Sequence, residues 1–227
     1  MRTSTLLPIF ASLAAAAPAA PAANPQPQLL LLTREDAPSP PPRIVSVSYS
    51  GSGCPSASPA VDRTGGFDDI SLRLNSFEAR TSTTSGGAPA DASVNCQAHL
   101  SIAGSAAGWQ VGVKDVYVKG HLVLDPGAAL DYYVTSFWSE DAGKTATIRG
   151  SLANSGTGRV SQDVTAHSTV PDDQVVYSPC TSSKGDVGLL NVNFRVALQA
   201  DGAQYGYFGK DPDTTASESW SYVWRRC

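Results

Sequence analysis

His99, His121 and His167 are the only imidazoles in the 227 residues. No two of them form an H-x-x-H or H-x-x-x-H pair, so the chain has no local metal motif. His99 occupies a polar position of an alternating stretch and reads as a surface histidine. No G-x-S-x-G elbow occurs. A Ser-His-Asp relay is defined by geometry rather than by chain order, and a serine-rich composition gives it no support. Glycoside hydrolysis needs two carboxylates facing one another. Beyond residue 43 the glutamates are Glu78, Glu140 and Glu218. Asp125, Asp201, Asp211 and Asp213 stand beside turn residues, where they bond local backbone. Asp68-Asp69 and Asp172-Asp173 read the same way, as solvated turn carboxylates rather than calcium ligands. No catalytic residue, metal or cofactor is expected.

Aromatic residues are the most suggestive group. "DYYVTSFW" (131–138) puts Tyr132 and Trp138 on one parity and Tyr133, Thr135 and Phe137 on the other. "WSYVW" (220–224) aligns Trp220, Tyr222 and Trp224. One stripe must fill a core, because aromatic rings bury large areas. A second, exposed stripe would stack on the apolar faces of sugar rings. Tyr132, Tyr133 and Trp138 are therefore the candidate ligand-binding residues.

The elements that would position these groups are strands. "ISLRL", "CQAHLSI" and "LNVNFRVAL" alternate apolar and polar residues. They direct Ile70, Leu72, Leu74, Cys96, Ala98, Leu100, Ile102, Leu190, Val192, Phe194, Val196 and Leu198 inward. "IVSVSY" is expected to place Val45, Val47 and Tyr49 on one face. "WQVGVKDVYVKGHLVL" changes phase near Lys114-Asp115, as a β-bulge would require, with a tight turn as the alternative. Turn signals separate the runs at Gly65-Gly66, Ser85-Gly86-Gly87, Asp125-Pro126-Gly127, Ser155-Gly156 and Asp201-Gly202. No stretch of helical length carries a 3.6-residue period. An all-β, antiparallel two-sheet β-sandwich of about eight to ten strands follows, because two apolar sheet faces must cover each other. A closed barrel is the runner-up.

The chain opens "MRTSTLLPIFASLAAAAPAAPAA", which reads as a signal peptide over 1–17, with cleavage as late as 23. Its apolar run is shorter than the roughly 20 residues a membrane span needs. Residues 18–43 form a Pro/Ala-rich leader in which Leu29, Leu30, Leu31 and Leu32 are the only apolar cluster. The β-sandwich domain is expected over 44–227. The four cysteines, Cys54, Cys96, Cys180 and Cys227, all lie within it. Behind a signal peptide an even count implies two disulfides, with three possible pairings, and the spacings suit no zinc site. In "SYSGSGCPSASPAV" (48–61) Cys54 follows a strand end, where a covalent tie would stop fraying. The net charge of −4 and the short Arg225-Arg226 run argue against nucleic acid or an anionic membrane as partner. No N-x-S/T sequon is present. The expected molecule is a secreted, extracellular monomer.

The cysteine contexts "GSGCP" (51–55), "NCQ" (95–97), "YSPC" (177–180) and "WRRC" (224–227), with "LD" (124–125) and "YY" (132–133), resemble one family. That family is domain of unknown function 4360, a group of small secreted four-cysteine fungal proteins. The resemblance covers about 44–227 and implies fungal origin, secretion and paired cysteines. It implies no catalytic residue. The expected role is a non-enzymatic extracellular or cell-wall-associated protein, most concretely one that binds a cell-wall glycan. The alternatives are a polysaccharide hydrolase or lyase, and a secreted effector that binds a host protein.

Overall fold

A computed structural model describes residues 37–56, 60–81, 92–201 and 203–227. The expected signal peptide, most of the leader with its leucine cluster, the turn at Ser85-Gly86-Gly87 and Gly202 lie outside the described residues. Strict alternation produces the two longest inner strands, β5 (Ser93–Ala103) and β10 (Asp186–Gln199). They pair antiparallel at the heart of a five-stranded sheet ordered β1-β5-β10-β7-β8. β1 is Arg43–Ser50, β7 is Ala129–Trp138 and β8 is Ala146–Ala153.

The second sheet has seven strands around β6 (Trp109–Leu124). One edge of β6 pairs with β12 (Ser217–Arg226) and then β11 (Gly206–Gly209), and the other pairs with β9 (Val160–Thr169). Short strands β2 (Val61–Thr64), β3 (Ser71–Leu74) and β4 (Ala79–Arg80) complete it. Twelve strands are thus present among the described residues, where eight to ten were expected. The surplus includes β2 and β4, four and two residues long, too short for alternation to reveal, whereas β3 is the expected "ISLRL" strand. Among the described residues no helix is long and apolar enough to cross a membrane.

The inner faces meet in one core. Phe77 stacks on Phe194 across the sheets, and Phe208 meets both edge-on. The phase change in β6 is a register shift: Trp220 opposes Val116 while Tyr222 opposes Val113, so Lys114 and Asp115 share Ser221. β1 corrects one expectation. Its register shifts between Ile44 and Ser46, so Ile44 joins Val47 and Tyr49 against the core. Val45 is left 57% exposed.

Two disulfides close the fold, Cys54–Cys96 and Cys180–Cys227. The first is buried and ties the segment after β1 to the middle of β5. The second is exposed and anchors the end of β12 to the 170–181 connection, which backs the lower part of β6 through bonds from Ser178 N to Val111 O and from Thr181 N to Trp109 O. They span 42 and 47 residues. For loops of this length the chain-entropy model gives about 4 kcal/mol per bridge.

Candidate functional site

The outer face of the five-stranded sheet is assembled by register. Three rows cross it. One runs Ser50, Gln97, Asn193, Thr135, Thr147. The next runs Ser48, His99, Asn191, Phe137. The third runs Asn95, Arg195, Tyr133, Arg149. Each residue is outward because its chain neighbours, such as Ala98, Leu100, Val192 and Val134, enter the core.

Side chains on this face hold one another. Asn191 is buried at the centre. Its Nδ2 donates to Ser139 Oγ at 2.8 Å and to Leu189 O at 3.3 Å. Its Oδ1 therefore accepts from His99 Nδ1 at 2.6 Å and from Gln97 Nε2 at 3.4 Å. With the Nδ1 proton committed, Nε2 of the neutral ring is an acceptor, and Ser50 Oγ donates to it at 2.9 Å. Asn95 Nδ2 reaches Asn193 Oδ1 at 3.3 Å, and Thr135 and Thr147 share a hydroxyl bond at 3.0 Å. The Arg149 guanidinium stands 5.5 Å from the centre of the Tyr133 ring and bonds Asp131 at 3.1 Å. The result is a plane of fixed amides and hydroxyls beside two half-buried rings, Tyr133 and Phe137.

Of the three aromatic candidates from the sequence, only Tyr133 lies on this face. Trp138 is 1% exposed and Tyr132 is 7% exposed. The Tyr132 ring lies over Gly150 and its hydroxyl bonds Ser168 Oγ at 2.9 Å, linking the two sheets. A ring with both faces packed offers nothing to a sugar. Phe137, Gln97 and Asn191 are not among the sequence candidates, and His99, read there as a surface histidine, is instead bonded on both ring nitrogens within this face. The signal was present in the outward positions of β5 and β10, which carry Asn95, Gln97, Asn191 and Asn193, although asparagine is disfavoured in strands.

The other aromatic stripe lines a groove of about 790 Å³ between residues 37–41 and β12, where Tyr222 and Trp224 are half-buried. Its rings are already engaged. Phe67 stacks on Tyr222 at 4.1 Å, and Arg226 covers Trp109 at 3.8 Å. Trp220 is buried and donates to the Tyr222 hydroxyl at 2.7 Å. One aspartate of each pair has a partner, that of Asp69 within its own turn and that of Asp172 on β6. Asp69 accepts from Gly66 N at 2.6 Å, and Asp172 pairs with Lys114 at 2.6 Å.

A family model described as "Domain of unknown function (DUF4360)" matches residues 40–227. The chain belongs to this family. No curated protein matches the DUF4360 chain. Among solved structures it is similar to TmCBM61 in complex with beta-1,4-galactotriose. That match is 11% identical, covers 81% of this chain and 90% of that one, and has a TM-score of 0.23. It is also similar to the enzymatically active domain of bacteriophage CBA120 tailspike protein 4. That match is 12% identical, covers 79% of this chain and 19% of that one, and has a TM-score of 0.22. At these TM-scores neither likeness carries an argument about what the DUF4360 domain binds.

Proposed function

We propose that this DUF4360 domain is an extracellular glycan-binding β-sandwich, acting at the cell wall, that lays a polysaccharide strand across the outer face of its five-stranded sheet. The observation that carries the reading is the central row of that face, with His99 and Asn191 locked by hydrogen bonds and Phe137 at its end. A sugar chain offers hydroxyls that donate and accept, and ring faces that are apolar. Amides and hydroxyls match the first, and half-buried rings match the second. Because the polar groups are already fixed by one another, little side-chain entropy is lost on binding. Two disulfides suit an oxidising compartment. Retention on cellulose, chitin or β-glucan is expected for the full chain and lost on pairing Tyr133→Ala with Phe137→Ala. Absence of retention on all three would reject the reading.

One observation favours a second reading, hydrolysis. Ser50 Oγ, His99 Nε2 and Nδ1, and Asn191 Oδ1 form a continuous Ser-His-Asn chain at 2.9 and 2.6 Å. Turnover of a polysaccharide or ester that is abolished in Ser50→Ala would support it. Unchanged substrate after prolonged incubation would reject it.

A further inference from the structure

On the opposite sheet, three ionisable side chains from three separate segments converge. His121 lies on β6, Asp163 opposes it on β9, and Asp211 lies in the turn after β11. His121 Nδ1 is 2.9 Å from Asp163 Oδ1 and 2.9 Å from Asp211 Oδ2. One ring nitrogen carries at most one proton. A single N–H can point along only one of these contacts, and the one to Asp163 has hydrogen-bond geometry, so the two carboxylates compete for one hydrogen.

The second atom of each group is tied down. Asp163 Oδ2 accepts the Thr214 hydroxyl. Asp211 Oδ1 accepts Asp213 N at 2.9 Å and Thr214 N at 2.5 Å. His121 Nε2 bonds Ser161 Oγ at 3.1 Å. The three remaining atoms, one nitrogen and two oxygens, lie within 4.8 Å of one another, on side chains that are partly exposed, His121 and Asp211 less so than Asp163. Anchoring the far atom of each ligand is how metal sites orient their near atoms. The Thr214 hydroxyl first, and then the His121 ring, hold the Asp163 carboxyl below its usual range.

We propose that His121 Nδ1, Asp163 Oδ1 and Asp211 Oδ2 form a binding site for one divalent first-row transition ion, with Zn²⁺ as the simplest occupant. Two carboxylates and one neutral imidazole present two negative charges, which the ion neutralises. The mixed nitrogen and oxygen set suits zinc or its neighbours, whereas Ca²⁺ takes oxygen ligands. A tetrahedral ion at about 2.0 Å from each ligand sets them roughly 3.3 Å apart. The 2.9 Å contacts must therefore open by about 0.4 Å, a small side-chain adjustment. Three protein ligands leave the fourth position to water or to an oxygen of a bound molecule.

The test is Zn²⁺ binding to the chelator-stripped full chain, followed by calorimetry and metal analysis after dialysis. One Zn²⁺ per chain is expected. His121→Ala, Asp163→Asn and Asp211→Asn each weaken binding by at least tenfold, and Ser161→Ala by less than threefold. Co²⁺ at the site gives the absorption of a low-symmetry ion, absent in His121→Ala, and Ca²⁺ does not compete. A His99→Ala/His167→Ala chain retains the ion, so surface histidines are not its ligands. Each variant's fold is checked by circular dichroism, and Asp163→Asn with Asp211→Asn gives two independent reports should His121→Ala unfold. The proposal is overturned if Zn²⁺ does not bind, or binds equally to all three ligand variants. Labelling of Ser161 by a fluorophosphonate without metal binding would also overturn it, since the same atoms would then be a Ser-His-Asp relay.

Discussion

Glu218 provides a quantitative test of the packing. It lies on β12 between Val118 and Leu72, is 1% exposed, and its Oε1 has no hydrogen-bond partner among the described residues. Burial pushes its carboxyl from 4.5 up to about 8. Between those values the folded chain holds a proton that the unfolded chain has released. Stability from this group is therefore complete below about pH 4.5 and falls as pH rises, levelling off above about 8. At 1.36 kcal/mol per pH unit, the loss is about 3 kcal/mol at pH 7 and about 5 kcal/mol above pH 8. Glu218→Gln removes the titration while keeping the shape. Urea unfolding of both chains from pH 4 to pH 9 gives the assay. Other carboxylates titrate alike in both chains and cancel in the difference. The advantage of Glu218→Gln should grow by about 3–5 kcal/mol from pH 4.5 to pH 8. Parallel stability profiles would refute the claim that this carboxyl is buried without a partner.

The two disulfides should separate by accessibility. Mild reductant opens the exposed Cys180–Cys227 first, read by alkylation and mass spectrometry, while the buried Cys54–Cys96 persists until unfolding. Replacing Cys54 and Cys96 by alanine should cost more than the about 4 kcal/mol of loop entropy, because it also empties core volume. Gly150→Ala puts a Cβ about 2.2 Å from the Tyr132 ring and is expected to cost roughly 1–3 kcal/mol in thermal or urea unfolding. Tyr132→Phe leaves Ser168 without its partner across the sheets and should cost about 1 kcal/mol while leaving glycan retention unchanged.

Much of the fold is legible in single stretches. "LNVNFRVAL" alternates without a break and forms the middle of β10 as expected. The phase change at Lys114-Asp115 marks the register shift in β6, because an inserted residue must exchange the two faces. The shift at Ile44 in β1 left no such mark, since isoleucine and valine stand side by side and either satisfies the pattern. For "DYYVTSFW", alternation shows which rings share a face but not which face meets the core. Leu130 and Val134, on the parity of Tyr132 and Trp138, were the deciding neighbours. Disulfide pairing and the meeting of His121, Asp163 and Asp211 depend on strand order and register between distant segments. No local spacing encodes either. The outer face of the five-stranded sheet lies between these extremes, with its residues readable strand by strand and its rows set by pairing.

The central claim is that this outer face carries the glycan, and binding isotherms on the retained polysaccharide test it most directly. Phe137→Ala is expected to weaken binding about tenfold, or 1.4 kcal/mol. Tyr117→Ala, at an exposed ring on the opposite sheet, should bind like the parent chain. Equal affinity for Phe137→Ala and the parent chain, or a loss confined to Tyr117→Ala, would contradict the account.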